Sequence, residues 1–87
     1  MTQEAFESLT SDWTVVSDII TVDADTTYYI QNRGADILLA VESSAEPTTL
    51  DGVLVKPYDV LKYKKGTDDL YVKAYTSTCS INITSEG

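Results

Sequence analysis

Side chains that could carry out catalysis are few in this 87-residue chain. It contains one cysteine, Cys79, and no histidine. A serine or cysteine nucleophile needs a base within hydrogen-bonding reach, usually a histidine, and a zinc site needs several His or Cys ligands. Two carboxylates could act on a glycosidic bond, but the spacing of the 14 acidic residues singles out no pair. We therefore expect no enzymatic activity, no cofactor and no metal site.

Two pairs of aspartates offer the oxygen ligands that calcium prefers. Asp23 and Asp25 lie in one predicted turn, and Asp68 and Asp69 in another. Neither segment matches a twelve-residue EF-hand loop, and aspartate is common in turns because its side chain accepts hydrogen bonds from nearby backbone. We interpret all four as turn-forming residues, and Cys79 as a small buried hydrophobe rather than a reactive thiol.

Charge is distributed unevenly along a chain of formal net charge -8. Residues 1–32 hold six acids and no lysine, whereas residues 56–73 hold five lysines against three acids. Such polarity can steer docking on a partner or head-to-tail self-association, although a merely asymmetric soluble surface would look the same. Nucleic acid is excluded as an expected partner, because phosphate contacts are made mainly by Lys and Arg.

Aromatic residues supply candidates for an interaction surface. Six of the eight aromatic residues are tyrosines, which suit both protein interfaces and strands. Because consecutive residues of a strand point to opposite faces, Tyr28 and Tyr29 cannot both be buried in one core. The candidate interface residues are Phe6, Leu9, Trp13, Tyr28, Arg33 and Tyr58.

Strand signals dominate the elements that must position these side chains. Runs rich in β-branched residues and tyrosine, bounded by Gly, Asp and Pro, cover residues 13–16, 17–22, 27–32, 37–42, 53–56, 59–64, 70–75 and 80–84. The first two runs could be one strand, so the count is seven or eight. This spacing predicts an all-β fold, a small antiparallel β-sandwich of jelly-roll or Ig-like type, with a closed barrel as the alternative.

The N-terminal residues are expected to stand apart from this fold. Residues 1–11 have few apolar positions and several residues that disfavour a helix, which predicts a short arm carrying Phe6 and Leu9 as apolar plugs. Residues 12–87 would then form a single sandwich domain. No segment is apolar enough to span a membrane, and the acidic N-terminus differs from a signal peptide, so no membrane partner is expected.

Four segments carry a resemblance to a known group of proteins. They are residues 28–34 (YYIQNRG), 38–42 (LLAVE), 51–57 (DGVLVKP) and 70–74 (LYVKA). Together they resemble small proteins encoded among the virion genes of tailed bacteriophages, over about residues 26–84. The shared features are turn and core signals, so no binding residue is carried over.

The resemblance implies a β-sandwich on the phage particle, made in the host cytoplasm. The expected role is a capsid decoration or cement protein that binds the major capsid protein, with a head-fibre or tail component as the alternative. Small sandwiches gain stability by association, so a homo-oligomer, with a trimer favoured, is expected.

Two other functions fit the residues. A host-glycan-binding module would place Tyr28 or Tyr29, Tyr58 and Asp or Asn side chains on one exposed face. An acidic inhibitor of a host nucleic-acid enzyme would align carboxylates in a row that mimics phosphates.

Overall fold

Eight strands form in the part of the chain that the structure describes. A computed structural model describes residues 4–23, 25–49 and 51–85. The strands are β1 (Glu4–Leu9), β2 (Thr14–Val15), β3 (Thr27–Asn32), β4 (Leu38–Ser43), β5 (Val53–Val55), β6 (Val60–Lys64), β7 (Asp69–Ala74) and β8 (Cys79–Ser85). A 3-10 turn at Val16–Asp18 is the only helical element of these residues. Within the same ranges no helix has the length and apolar character needed to cross a membrane.

The strands form two four-stranded antiparallel sheets that share one core. Sheet I has the order β1-β8-β3-β6, and sheet II has the order β2-β7-β4-β5. Strand 1 pairs with 8, 2 with 7, 3 with 6 and 4 with 5, which is the pattern of a long hairpin rolled up into two sheets. This eight-stranded order is that of a jelly roll and differs from the Ig-like order. The predicted all-β sandwich is confirmed.

Alternation along the strands fills the core between the sheets. In β7, Leu70, Val72 and Ala74 are buried, and the residues between them point to the other face. The same alternation in β8 buries Cys79, which confirms its interpretation as a core residue. The sequence pattern of period two therefore decides which face of each sheet meets the other sheet.

The N-terminal segment differs from the predicted arm. Residues 4–9 form β1, which pairs with β8 in a register that runs from Glu4 opposite Thr84 to Leu9 opposite Cys79. Leu9 is 2% exposed in the core, and Ala5 packs against the core. The segment is an edge strand that pairs only with β8 among the described strands, and its core contacts come from Ala5 and Leu9, while Glu7 between them is exposed. Residues 1–3 lie outside the described residues.

The predicted strand over residues 17–22 is also wrong. The chain turns there, and the backbone N–H groups of Ile19 and Ile20 both donate to the carbonyl of Val16, at 2.9 and 3.1 Å. This segment links β2 of sheet II to β3 of sheet I, so it crosses between the sheets. Ile20 and Val16 are buried there, which explains an apolar run without a strand.

Candidate functional site

The outer face of sheet II, on the side away from the core, is largely apolar. Leu39 stands opposite Leu54 of β5 and Lys73 of β7, and Val41 stands opposite Tyr71. Tyr71 is also opposite Val15 of β2. We call this surface the docking face, and it consists of Trp13, Val15, Leu39, Val41, Leu54, Tyr71 and Lys73. Lys73 is its only charged member, and beyond Val41 and Tyr71 the same outer face continues with the polar pair Ser43 and Asp69.

Leu39 shows how thoroughly the docking face is packed. It points away from the core, because its neighbours Leu38 and Ala40 belong to the core cluster and Leu39 does not. Leu39 is nevertheless 0% exposed, whereas its register partner Leu54 is 52% exposed. The face therefore has a covered centre and an open apolar rim at β5.

Trp13 and Lys73 complete the docking face on the side of β2. The ammonium of Lys73 lies 5.4 Å from the centroid of the Trp13 ring, within the range of a cation–π contact. This contact places the indole on the same side of the sheet as Lys73. Both side chains are half-buried, so the ring is held against the sheet rather than free in solvent.

An apolar cavity opens beside the docking face, between the edge strands β5 and β6. Its volume is about 250 Å³, and its lining includes Val53, Leu61, Tyr63 and Leu70. Val53 points towards the core in register with Ala40 and yet is about half exposed, because β5 is an edge strand. The cavity can receive an apolar side chain of a partner that also contacts Leu54.

A polar network closes one end of the sandwich. Asn32 is fully buried, and its Nδ2 donates to the carbonyls of Asp36 and Val55 at 2.7 and 2.9 Å. Its Oδ1 accepts hydrogen bonds from the N–H of Gly34 and the thiol of Cys79, each at 2.9 Å. The Asn32 amide therefore donates two hydrogen bonds and accepts two within the protein. We interpret this network as structural.

Asp36 joins the loop after β3 to the loop after β7. Its carboxylate accepts from the N–H groups of Thr76 and Ser77 at 2.8 and 2.9 Å, from the Thr76 hydroxyl at 3.0 Å and from the N–H of Ile37 at 2.8 Å. These donors, chiefly the Ser77 and Thr76 N–H groups, lower the pKa of Asp36 to about 2. Burial, and then the charge of Asp36, raise the pKa of the Cys79 thiol. The pair therefore supplies neither a proton acceptor nor a thiolate at neutral pH.

Three of the four aspartates considered for calcium, Asp25, Asp68 and Asp69, form hydrogen bonds with Lys65 through backbone or side-chain atoms. The ammonium of Lys65 contacts the Asp69 carboxylate at 3.1 Å and the Asp68 carbonyl at 3.0 Å. The N–H of Asp25 donates to the carbonyl of Lys65, and Asp25 has a positive φ of 63°, which fits a turn residue. Among the described residues, no three His, Cys, Asp or Glu side chains are grouped as metal ligands.

Two predicted interface residues lie in the core instead. Leu9 is buried at the end of β1, and Tyr28 is 1% exposed. The Tyr28 hydroxyl donates to the carbonyl of Thr21 at 3.1 Å and accepts from the N–H of Asp23 at 2.7 Å. Tyr28 shares a face with the core residue Ile30, so its polar tip holds the loop before β3 and does not reach a partner.

The other four predicted residues are accessible but are not brought together. Trp13 belongs to the docking face, whereas Phe6 is exposed on the outer face of sheet I. Arg33 and Tyr58 are exposed in turns, Tyr58 with a positive φ of 69°. The sequence reasoning missed the other six residues of the docking face, which are Val15, Leu39, Val41, Leu54, Tyr71 and Lys73. The run of apolar residues at 38–41 was the available signal, since a strand covered on both faces loses its alternation.

Comparisons of the chain with protein-family models, curated proteins and solved structures give no match.

Proposed function

We propose that this chain is a non-enzymatic virion protein of a tailed bacteriophage, a decoration or cement protein that binds the major capsid protein through the docking face. The observation that carries the proposal is the apolar outer face of sheet II. Six of its seven side chains are apolar, in a chain whose net charge is -8. The fold adds support, since jelly rolls recur in viral capsid proteins. The resemblance of residues 26–84 to virion proteins is the reason for proposing the major capsid protein as the partner.

Protein interfaces commonly have an apolar, well-packed centre with aromatic residues and a more polar rim. The docking face matches this description, since it has two aromatic residues, Trp13 and Tyr71, and a fully covered Leu39. The cavity at β5 adds a pocket in which a side chain of the partner can be anchored. A negative charge over the remaining surface keeps a protein soluble when it is made in many copies.

A phosphate-mimicking inhibitor finds less support. The described carboxylates lie mainly in turns, and no two of those in strands are register partners. Glu42 is opposite Leu70 and Asp69 is opposite Ser43. A row of carboxylates on one sheet face is therefore missing among the described residues.

Particle binding by two matched variants tests the proposal. Leu54 and Val60 lie on the outer faces of opposite sheets, both in edge strands, and are 52% and 55% exposed. Particles produced without this protein are mixed with the purified chain and sedimented. We expect Leu54→Asp to weaken binding about tenfold or more, because it puts a charge into the apolar rim, and Val60→Asp to bind as wild type.

Circular dichroism of both variants shows that they are folded before binding is compared. Equal binding of folded Leu54→Asp and wild type overturns the docking face.

Mass spectrometry of particles tests where on the particle the protein lies. A copy number close to that of the major capsid protein supports decoration, and a few copies per particle support a tail or head-fibre component. Absence from the particles overturns the virion role.

The expected homo-oligomer is part of the same proposal. A second and third copy could associate through surfaces left free by the capsid protein, and a trimer is favoured for a sandwich of this size. Sedimentation equilibrium of the free chain measures this directly. A monomer at all concentrations overturns the trimer and leaves capsid binding standing.

A further inference from the structure

The outer face of sheet I is built differently from the docking face. One row crosses all four strands, from Phe6 through Asn82 and Gln31 to Val60. The next row includes Thr84, Tyr29 and Lys62, and Lys64 follows opposite Thr27. All of these side chains are partly or fully exposed. We call the central residues of these rows the polar face, and they are Gln31, Asn82, Tyr29, Thr84, Lys62 and Lys64.

Amide and hydroxyl groups occupy the centre of the polar face. Each amide side chain offers two donors and one carbonyl acceptor. Gln31 Nε2 donates to the carbonyl of Tyr58 at 3.1 Å, which orients the Gln31 amide and leaves its oxygen available. No hydrogen bond among the described residues engages the Asn82 side chain. The two amides are register partners, so they present donors and acceptors side by side to one ligand.

The charge of the polar face is opposite to that of the chain. Lys62 and Lys64 are exposed, and neither forms an ion pair among the described residues. Register also brings one acidic residue to this face, Glu4 of β1 opposite Thr84, at the edge of the sheet farthest from the two lysines of β6, while the whole chain has a net charge of -8. A ligand for this face therefore combines hydroxyl groups with negative charge.

We propose that the polar face binds an acidic polysaccharide, with hexuronic acid residues lying across β8, β3 and β6. Sugar hydroxyls can both donate to and accept from the Asn82 and Gln31 amides, and the Tyr29 ring offers an apolar surface beside them. Lys62 and Lys64 receive the uronic carboxylates in charge-assisted hydrogen bonds. Three strands spaced by about 4.8 Å span about 10 Å, which is the reach of a short oligosaccharide.

Binding of defined oligosaccharides to the full chain tests the proposal. The probes are hexasaccharides of galacturonate, mannuronate and hyaluronate, with maltohexaose as the neutral sugar and hexaglutamate as the anion without a sugar. Amide chemical shifts are followed by NMR in low salt during each titration. We expect at least one acidic sugar to bind at millimolar concentration, with shifts confined to β8, β3 and β6.

Variants connect that binding to individual side chains. Lys62→Ala should weaken it about threefold, and Lys62→Ala with Lys64→Ala about tenfold, as expected for exposed ion pairs. Asn82→Ala distinguishes recognition of sugar hydroxyls from recognition of negative charge. It should weaken binding of the acidic sugar and leave any binding of hexaglutamate unchanged. Lys56→Ala, an exposed lysine in the turn before β6, removes the same charge outside the face and should bind as wild type.

The proposal is overturned if none of the three acidic sugars binds, or if hexaglutamate binds as tightly as they do. The latter outcome identifies an acidic peptide as the ligand. Leu54→Asp should retain sugar binding. Lys62 also borders the cavity between β5 and β6, so Leu54→Asp, which lies outside the polar face, is the variant that distinguishes a failure of this site from a failure of the docking face.

Discussion

The thiol of Cys79 lies 2.9 Å from the Oδ1 of Asn32, which joins the first residue of β8 to the last residue of β3 inside the core. The same amide holds the carbonyls of Asp36 and Val55 and the N–H of Gly34. One buried side chain thus ties together both sheets and the loop between β3 and β4. Its location at the end of the sandwich makes it the main polar support of the fold.

Asn32→Ala should lower the free energy of unfolding by about 2–4 kcal/mol, because it leaves buried carbonyl and N–H groups without partners. Urea denaturation followed by circular dichroism measures the change. Asn82→Ala is the matched control, since Asn82 lies on the outer face of the same sheet, and its effect should stay within about 0.5 kcal/mol. Equal stabilities of the two variants would contradict a structural role for the buried amide.

Cys79 should resist thiol reagents in the folded protein. Its side chain is buried, and burial together with the charge of Asp36 raises the pKa of the thiol, so little reactive thiolate is present at neutral pH. We expect labelling by a maleimide to require unfolding and to accelerate as urea is added. Thr78→Cys in a Cys79→Ala background places a thiol at an exposed neighbouring position and should react rapidly. Rapid, complete labelling of the folded wild type would show that the core opens at β8.

Some of the fold could be predicted from the sequence because the side chains alternate. The sequence predicts a strand over residues 27–32, with the bounds that β3 has, and the same alternation accounts for the burial of Val72 and Ala74 on one face of β7. Tyr28 could also have been assigned to the core, since it shares a face with Ile30, whereas Tyr29 shares one with Gln31. The composition argument, that tyrosines are common at interfaces, selects Tyr28 as an interface residue. Tyr28 is buried, whereas Tyr29 lies on the outer face of the sheet.

The docking face could not be predicted in the same way. Its rows join β2, β7, β4 and β5, which are distant in sequence, and a row exists only once the register of these strands is known. Leu54 looks like an ordinary strand residue until it stands opposite Leu39. The predicted arm was wrong for a related reason, because whether residues 4–9 pair with β8 depends on a partner at the other end of the chain.

Asp36 should make stability depend on pH in the acidic range. Its pKa falls from 3.8 to about 2 on folding, because backbone N–H groups of Ser77 and Thr76 favour the carboxylate. A group whose pKa is lowered on folding stabilises the protein above its unfolded value and loses that effect as pH falls through the folded value. The wild type should therefore exceed Asp36→Ala in stability above pH 3.8, and the difference should shrink as the pH falls through about 2.

Urea denaturation of both proteins across this range measures the effect. At neutral pH we expect a difference of about 1 kcal/mol, a small value because the carboxylate is partly exposed to solvent. Asp36→Asn should fall between the two proteins, since an amide keeps one acceptor oxygen but has no charge. A difference that stays constant down to the lowest pH would assign the effect to lost packing rather than to the carboxylate.

Gly34 should be far less tolerant of substitution than Gly66. A Cβ added at Gly34 would lie 2.7 Å from the backbone nitrogen of Ser80 and 3.1 Å from the Cα of Cys79, whereas nothing lies within 4 Å of one added at Gly66. None of the described glycines has a positive φ, so the backbone angles at both sites suit alanine. The obstacle to alanine at Gly34 is therefore the steric clash alone. Gly34→Ala must push the loop away from β8, where the N–H of Arg33 donates to the Ser80 carbonyl at 2.7 Å.

We expect Gly34→Ala to reduce the free energy of unfolding by about 1–3 kcal/mol, as overpacking does elsewhere. Gly66→Ala should leave stability unchanged or raise it by about 0.5 kcal/mol, because alanine restricts the unfolded chain. Thermal unfolding of the two variants beside the wild type decides the comparison. If both variants unfold at the same temperature as the wild type, the loop after β3 can move away from β8 with little loss of stability. The hydrogen bonds of the buried Asn32 would then have to persist during that movement.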